Sequence, residues 1–214
     1  MQAMSEITID RSLPLRERKK LRTRRALAEA ALRLFDEKGF DATTIDELAD
    51  AAEVSRTTFF RFYPAKEAAG IEAEAELWTA YLATLTERTF TGAVLTELHD
   101  VMIEALSSLD AGWDERFLAT RRLIAKPEPA LLAYVEWYRA TVKNQVVECL
   151  AAKLELELTD LRLYVLAELG IAAFSVSGRQ WVRNGGRGGR KALIERFDDA
   201  IGAIPSSLEL TGRR

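Results

Sequence analysis

FDATTIDELADAAEVSRTTFFRFYPAK, residues 40–66, decides the fold, because it writes two short amphipathic helices on either side of a tight connection. Thr44 followed three residues later by Glu47 is a capping box, in which the hydroxyl takes the amide of the third helical residue and the carboxylate reaches back. A helix therefore starts near Thr44. Ile45, Leu48, Ala49 and Ala52 fall at i, i+3, i+4 and i+7 on one apolar face, and Asp46, Glu47 and Asp50 turn to water. Ser55 caps a second helix in which Phe59 and Tyr63, one turn apart, face inward while Arg56, Thr57, Phe60 and Arg61 face out. Pro64 closes it, because proline biases the residue before it out of the helical region. Two helices of this size joined by Glu53, Val54 and Ser55 have the dimensions of a helix-turn-helix, the second being the one that enters a major groove.

The segment upstream supplies support and charge. Leu27, Ala30, Ala31, Leu34 and Phe35 share one stripe, so residues 16–38 are predicted to form a long helix that Gly39 ends as a left-handed cap. Its first half is strongly basic. Arg11, Arg16, Arg18, Lys19, Lys20, Arg22, Arg24 and Arg25 stand against the single acid Glu17, a run that neutralises phosphates without reading sequence. The net charge of the whole chain is only −3, but it is unevenly spread: residues 1–66 hold 13 Lys or Arg and 11 Asp or Glu, and the remainder 17 and 22. A net of +2 before a net of −5 directs a polyanion to the N-terminal part.

At 214 residues the chain has ample length to bury a core, and its remainder reads as helices without a strand pattern. A fourth helix is predicted over 66–90, carrying Leu77, Trp78, Tyr81, Leu82 and Leu85 on one side. Others follow near 94–109 and from Asp114 to Ala125, and a further one starts in the first turn at Pro127 or Pro129. Thr159 is the expected cap of the next, which ends before Asn184, and GGRGG at 185–189 reads as a flexible connection to a short last helix. No strand precedes that glycine cluster and no Lys-Ser or Lys-Thr closes it, so it is not a phosphate loop. The lone His99 has no second histidine to share a metal, the single Cys149 forbids an intramolecular disulfide, and nothing brings the two together as a nucleophile. Neither an enzyme nor a cofactor site is expected. We read no signal peptide and no apolar run of spanning length, and expect a cytoplasmic protein.

The basic helix, Phe-Asp-x-Thr-Thr at 40–44, Ile-Asp-Glu-Leu-Ala at 45–49 and VSRTTFFRFYPAKEA at 54–68 together resemble the N-terminal domain of TetR-family transcriptional regulators, over roughly residues 16–70. The resemblance implies an all-α homodimer of about nine helices: a three-helix DNA-binding domain over 1–65, and over 66–214 a larger helical domain that binds an effector and dimerises through its last two helices. It also implies a repressor that leaves a palindromic operator when a small apolar effector binds. Carried over by position, Thr44 caps its helix beside a phosphate, Ser55, Arg56, Thr57 and Thr58 open the recognition helix, and Lys66 contacts the DNA backbone, with Arg24 from the basic helix and Phe60 and Arg61 completing the set. Five positions depart from the pattern. The family commonly has Tyr where Phe60 and Phe62 stand and Phe at Tyr63, Gly at Glu53, and a Ser or Asn cap at Ala65. An arginine grips guanine O6 and N7 bidentately and the Thr57 methyl meets thymine; Arg56 and Arg61 are equal candidates for the base.

WDERFLATRRLIAKPEPALLAYVEWYRATV, residues 113–142, is similar to TetR-family ligand-binding domains described as acyl-CoA-like ligand binders. On that resemblance Trp113, Phe117, Trp137, Tyr138, Phe174 and Trp181 line an apolar tunnel, and Arg121, Arg122 and Arg179 meet phosphates at its mouth. Two alternatives stand beside it: an architectural DNA-binding protein, and a regulator whose effector is another protein. A cavity in the larger domain separates the first reading from these.

Overall fold

The computed structural model describes residues 14–212, so Arg11 of the basic run lies outside the described residues. Ten helices follow one another without a strand among them: α1 (Leu15–Glu37), α2 (Ile45–Ala51), α3 (Arg56–Phe62), α4 (Lys66–Gly70), α5 (Glu72–Glu87), α6 (Val94–Ser108), α7 (Trp113–Ile124), α8 (Pro129–Leu154), α9 (Leu161–Arg183) and α10 (Gly189–Ser207). They gather into two compact units. The first takes the described part of Met1–Glu76 together with Asp110–Trp137, and the second takes Leu77–Leu109 with Tyr138–Arg214.

In the first unit α1 buries Leu27, Ala30, Ala31 and Phe35, and Gly39 closes it at φ +89°. The Phe35 and Phe40 rings meet at 4.9 Å. The capping box of α2 forms as the sequence requires: the Glu47 amide donates to the Thr44 hydroxyl at 3.2 Å and the Thr44 amide to the Glu47 carboxylate at 2.9 Å. The Lys38 ammonium, with the Thr44 amide and hydroxyl, holds the Glu47 carboxyl down to about 2. Glu53 does occupy the left-handed region, at φ +54°, a conformation that costs a non-glycine residue roughly 1 kcal/mol.

The helix expected over 66–90 is instead two helices, interrupted at Ile71. The cause lies in α7. Its Thr120 hydroxyl donates to the Gly70 carbonyl at 3.1 Å, and a Cβ at Gly70 would stand 3.0 Å from Phe35 and 3.1 Å from Leu123. Trp113 of α7 is fully buried and its indole donates to the Ala73 carbonyl at 2.8 Å.

In the second unit α9 and α10 form the most extensive helix pair. Four expectations are corrected here. α5 stops at Glu87 rather than at residue 90, where the Lys153 ammonium takes the carbonyls of Thr86 and Arg88 at 2.9 and 2.8 Å. Asp160, not Thr159, caps α9: its carboxylate accepts the Arg162 amide at 2.9 Å, and a negative charge suits a helix start better than a hydroxyl. The last helix is 19 residues long, not short, and Gly188, at φ +82°, is required before it because a Cβ there would fall 2.7 Å from that of Ala192. Finally, α9 is long and apolar enough to cross a membrane by length and composition, although no such run was expected. About a third of it is buried, at positions such as Leu163, Ala167, Phe174 and Trp181.

The segment entering α6 is tied by one carboxylate. Glu97 accepts the amides of Thr91 and Gly92 at 2.9 and 3.0 Å and the Arg88 guanidinium at 2.7 Å, which together hold its carboxyl down to about 2. A depressed folded-state value stabilises the protein above the unfolded value near 4.5, and that stability is lost as pH falls through about 2. Glu97→Gln should therefore melt below the wild type at neutral pH, with the gap closing on acidification. Thermal melts across that range check it, and a gap independent of pH would show that the charge is not responsible.

Candidate nucleic-acid interface

The seven-residue α3 is held by its inner face and displays its outer one. Ser55 caps it, accepting the Thr58 amide at 3.1 Å. Phe59 and Tyr63 are buried, their rings 5.8 Å apart. The Tyr63 hydroxyl donates to the Arg24 carbonyl of α1 at 3.0 Å. Arg56, Thr57, Phe60 and Arg61 are exposed on the other side, Phe60 to 45%. The exposed Phe60 ring stands edge to face with Phe59 at 5.6 Å and lies under the Arg56 guanidinium at 5.6 Å. Arg56 pairs with Asp46 of α2 at 2.8 Å, both side chains more than half exposed, an interaction worth only ~0–1 kcal/mol and readily exchanged for a phosphate or a base edge.

Arg61 has a different setting. Its guanidinium lies over the Phe62 ring at 5.3 Å, and both residues line an open groove of about 530 Å³ whose other wall is α1, with Arg16, Lys19, Lys20 and Thr23. Glu17 is the one acid in that lining, 3.9 Å from Lys20. The fold thus brings the basic run and α3 to one surface, which the sequence showed only as separate features. A groove with four cations to one anion suits a phosphate backbone.

Residues 27–68, which contain α2 and α3, match the family model described as bacterial regulatory proteins, tetR family. The regulator TcmR of Streptomyces glaucescens is 28% identical over 209 residues, covering 94% of this chain and 90% of its own. Over residues 27–68 the chain therefore carries the DNA-binding domain pattern of the TetR family. Solved structures agree on the fold. The fatty acid degradation regulator FadR of Bacillus halodurans aligns with a TM-score of 0.56 at 14% identity, over 85% of this chain and 96% of its own. FadR of Thermus thermophilus, a TetR-family repressor crystallised with lauroyl-CoA, aligns with a TM-score of 0.50 at 24% identity, over 89% and 97%.

Two of the positions carried over from the TetR pattern are engaged within the protein. Lys66 folds its ammonium back onto the carbonyls of Phe40 and Thr43, at 2.7 and 3.0 Å, and onto the Phe40 ring at 4.3 Å. Arg24 forks onto Glu72 of α5, one contact being 2.9 Å, and stacks on Tyr63 at 5.3 Å. Glu72 keeps the guanidinium firmly protonated, while burial pushes the Glu72 carboxyl up against the pull of Arg24. Both contacts join residues far apart in the chain, so no local spacing announced them. Thr44 is exposed beside the α1–α2 loop that Lys66 holds.

The residues expected to hold an effector fall in both units of the chain. Trp113 and Phe117 are fully buried in the first, stacked at 4.4 Å, with Arg121 of the same helix 3.5 Å from Glu74. Arg122 is exposed there and Trp137 is 59% exposed. In the second unit Tyr138 is half-buried, Phe174 and Trp181 are buried, and the exposed Arg179 donates to the Ser175 hydroxyl at 2.8 Å.

Because charged donors hold the loop before α2, Lys66→Met should lower the unfolding free energy by about 1.5–3 kcal/mol. Denaturant titration measures this, and an unchanged midpoint would mean that the ammonium positions nothing.

Proposed function

We propose that this TetR-family protein is a repressor that binds a palindromic operator as a homodimer, with 1–65 as its DNA-binding domain and 66–214 as its effector-binding and dimerising domain. The observation that carries the reading is the display of Arg56, Thr57, Phe60 and Arg61 on α3, an outer face backed by a fully buried inner one. Thr57 with Arg56 or Arg61 reads bases, and Ser55, Thr58 and Thr44 meet phosphates, joined by the α1 cations that share a groove with Arg61. Lys66 and Arg24 act one step back, by holding the loop and the recognition helix in place. Two copies of α3 about 34 Å apart match one turn of duplex.

The dimer uses α9 and α10. Support comes from an apolar stripe on α9, with Leu161, Val165 and Val176 exposed to 76%, 56% and 39%, which a second copy would cover. The effector is a small apolar or acyl-CoA-like molecule, in keeping with a fold that in Thermus thermophilus FadR accommodates lauroyl-CoA. Trp113, Phe117, Arg121, Arg122, Trp137, Tyr138, Phe174, Trp181 and Arg179 are the contacts that the family resemblance offers for it. The protein works in the cytoplasm, where its DNA is. An effector releases DNA only through a higher affinity for the form that does not bind it.

An operator selected from random duplex tests the reading. Two protomers should bind per duplex, and Arg61→Ala should lower affinity and reduce the steepness of its salt dependence by about one ion. Equal affinity and equal salt dependence in the variant would remove α3 from the interface.

A further inference from the structure

Three tryptophans are buried among the described residues, and they differ in one respect. Trp113 donates its indole N–H to Ala73 at 2.8 Å and Trp181 donates to Gly189 at 3.0 Å. Trp78 of α5, 4% exposed, has a buried Nε1 with no hydrogen-bond partner. A buried donor without an acceptor is destabilising, so tryptophan is kept at such a place for a reason other than packing, which phenylalanine or leucine supplies without the penalty. Trp78 stands edge to face with two rings of the second unit, Tyr81 at 5.5 Å and Phe174 of α9 at 6.0 Å.

A second observation comes from α9. Gly170 and Gly178 lie one turn before and one turn after Phe174, on the same face of the helix. Neither has a positive φ. A Cβ at Gly178, which is buried, would meet no atom within 4 Å, and one at Gly170 would meet only Leu98, at 4.0 Å. Glycine weakens a helix interior relative to alanine, and here neither backbone conformation nor crowding requires it. Room has been kept on both sides of the ring that faces Trp78.

We propose that the second unit holds a ligand site bounded by Trp78, Tyr81 and Phe174, in which the Trp78 indole donates to a neutral carbonyl oxygen of a ring-bearing, otherwise apolar ligand. An indole offers a donor and no acceptor, so the ligand must bring the acceptor. Burial in an aromatic setting excludes a charged one, whose desolvation nothing at these rings offsets. Three rings set edge to face favour a planar, ring-bearing body over a bare chain. The inference rests on the proposed effector-controlled repressor and names the chemistry of its effector.

The test uses the full-length, nitrogen-15-labelled protein and two probes of one shape, 1-acetylnaphthalene and 1-ethylnaphthalene, which differ by a carbonyl. Trp78→Phe assigns the Trp78 indole signal. The ketone should move that proton downfield and bind at least tenfold more tightly than the hydrocarbon, and Trp78→Phe should abolish the preference. Gly178→Ala should raise the melting temperature of the free protein and weaken the ketone about tenfold, opposite signs that a purely structural position does not give. An unmoved Trp78 signal at saturating ketone, equal affinity for both probes, a preference surviving in Trp78→Phe, or a lower melting temperature in Gly178→Ala would each overturn the site. A separate arm adds lauroyl-CoA to the preformed operator complex. Release by lauroyl-CoA in wild type and Trp78→Phe alike, with the ketone inert, overturns the site and leaves the repressor reading standing. Ketone binding at Trp78 with no ligand releasing DNA supports the site and removes that reading.

Discussion

Tyr63 is the residue on which the proposed interface depends. A helix of seven residues is too short to hold its shape in water, and α3 exists because its inner face is taken into the core. Phe59 supplies apolar burial, but Tyr63 does more. Its hydroxyl is fixed to the backbone of α1, and its ring carries the guanidinium of Arg24, which is itself forked onto Glu72 at the start of α5. Burial and the Glu72 carboxylate push the Tyr63 phenol far above its ordinary range, so it stays a donor at any pH the protein meets. One aromatic side chain thus fixes the end of α3 to two other elements.

Around that anchor the first unit replaces apolar contact with paired charge to an unusual degree. Glu72, Glu74 and Glu76 enter α5 on successive alternate positions, and each faces an arginine: Arg24, Arg121 and Arg116. Asp110 joins the set by accepting Arg25 at 2.5 Å and Arg116 at 2.9 Å, so α1 and α7 share a carboxylate. Such pairs are costly to desolvate and return little net stability, but they are particular about geometry. A shift of α7 against α1 would unpair charges rather than slide apolar surfaces. That makes the network a physical route by which a change at α7 reaches the helix that carries Tyr63.

What could be read in the sequence was what neighbouring residues decide. The Thr44 and Glu47 spacing, the two faces of α3 and the left-handed Gly39 are all settled within a few residues, and each stands in the fold where the pattern put it. What escaped was decided from far along the chain. Gly70 interrupts a helix because Thr120 and Leu123 press on it from α7, and the cations of Lys66 and Arg24 turn inward toward partners tens of residues away. The groove lined by Arg61 and the α1 cations belongs to the same class, since neither wall implies the other. Asp160 was missed for a smaller reason: it sits next to a threonine that fits the capping rule nearly as well. Tryptophans look alike in sequence, and only hydrogen bonding separates the satisfied Trp113 from the unsatisfied Trp78, which was not among the residues expected to hold an effector.

The claim beneath all of this is that the outer face of α3, steadied by Tyr63, meets duplex DNA together with the basic wall of α1. Amide hydrogen exchange of the protein with and without a saturating duplex tests it most directly. The account predicts slowed exchange confined to residues 55–63 and to the α1 residues that share their groove, with the apolar face of α9 unchanged. Unaltered exchange in α3, with protection appearing elsewhere, would contradict it.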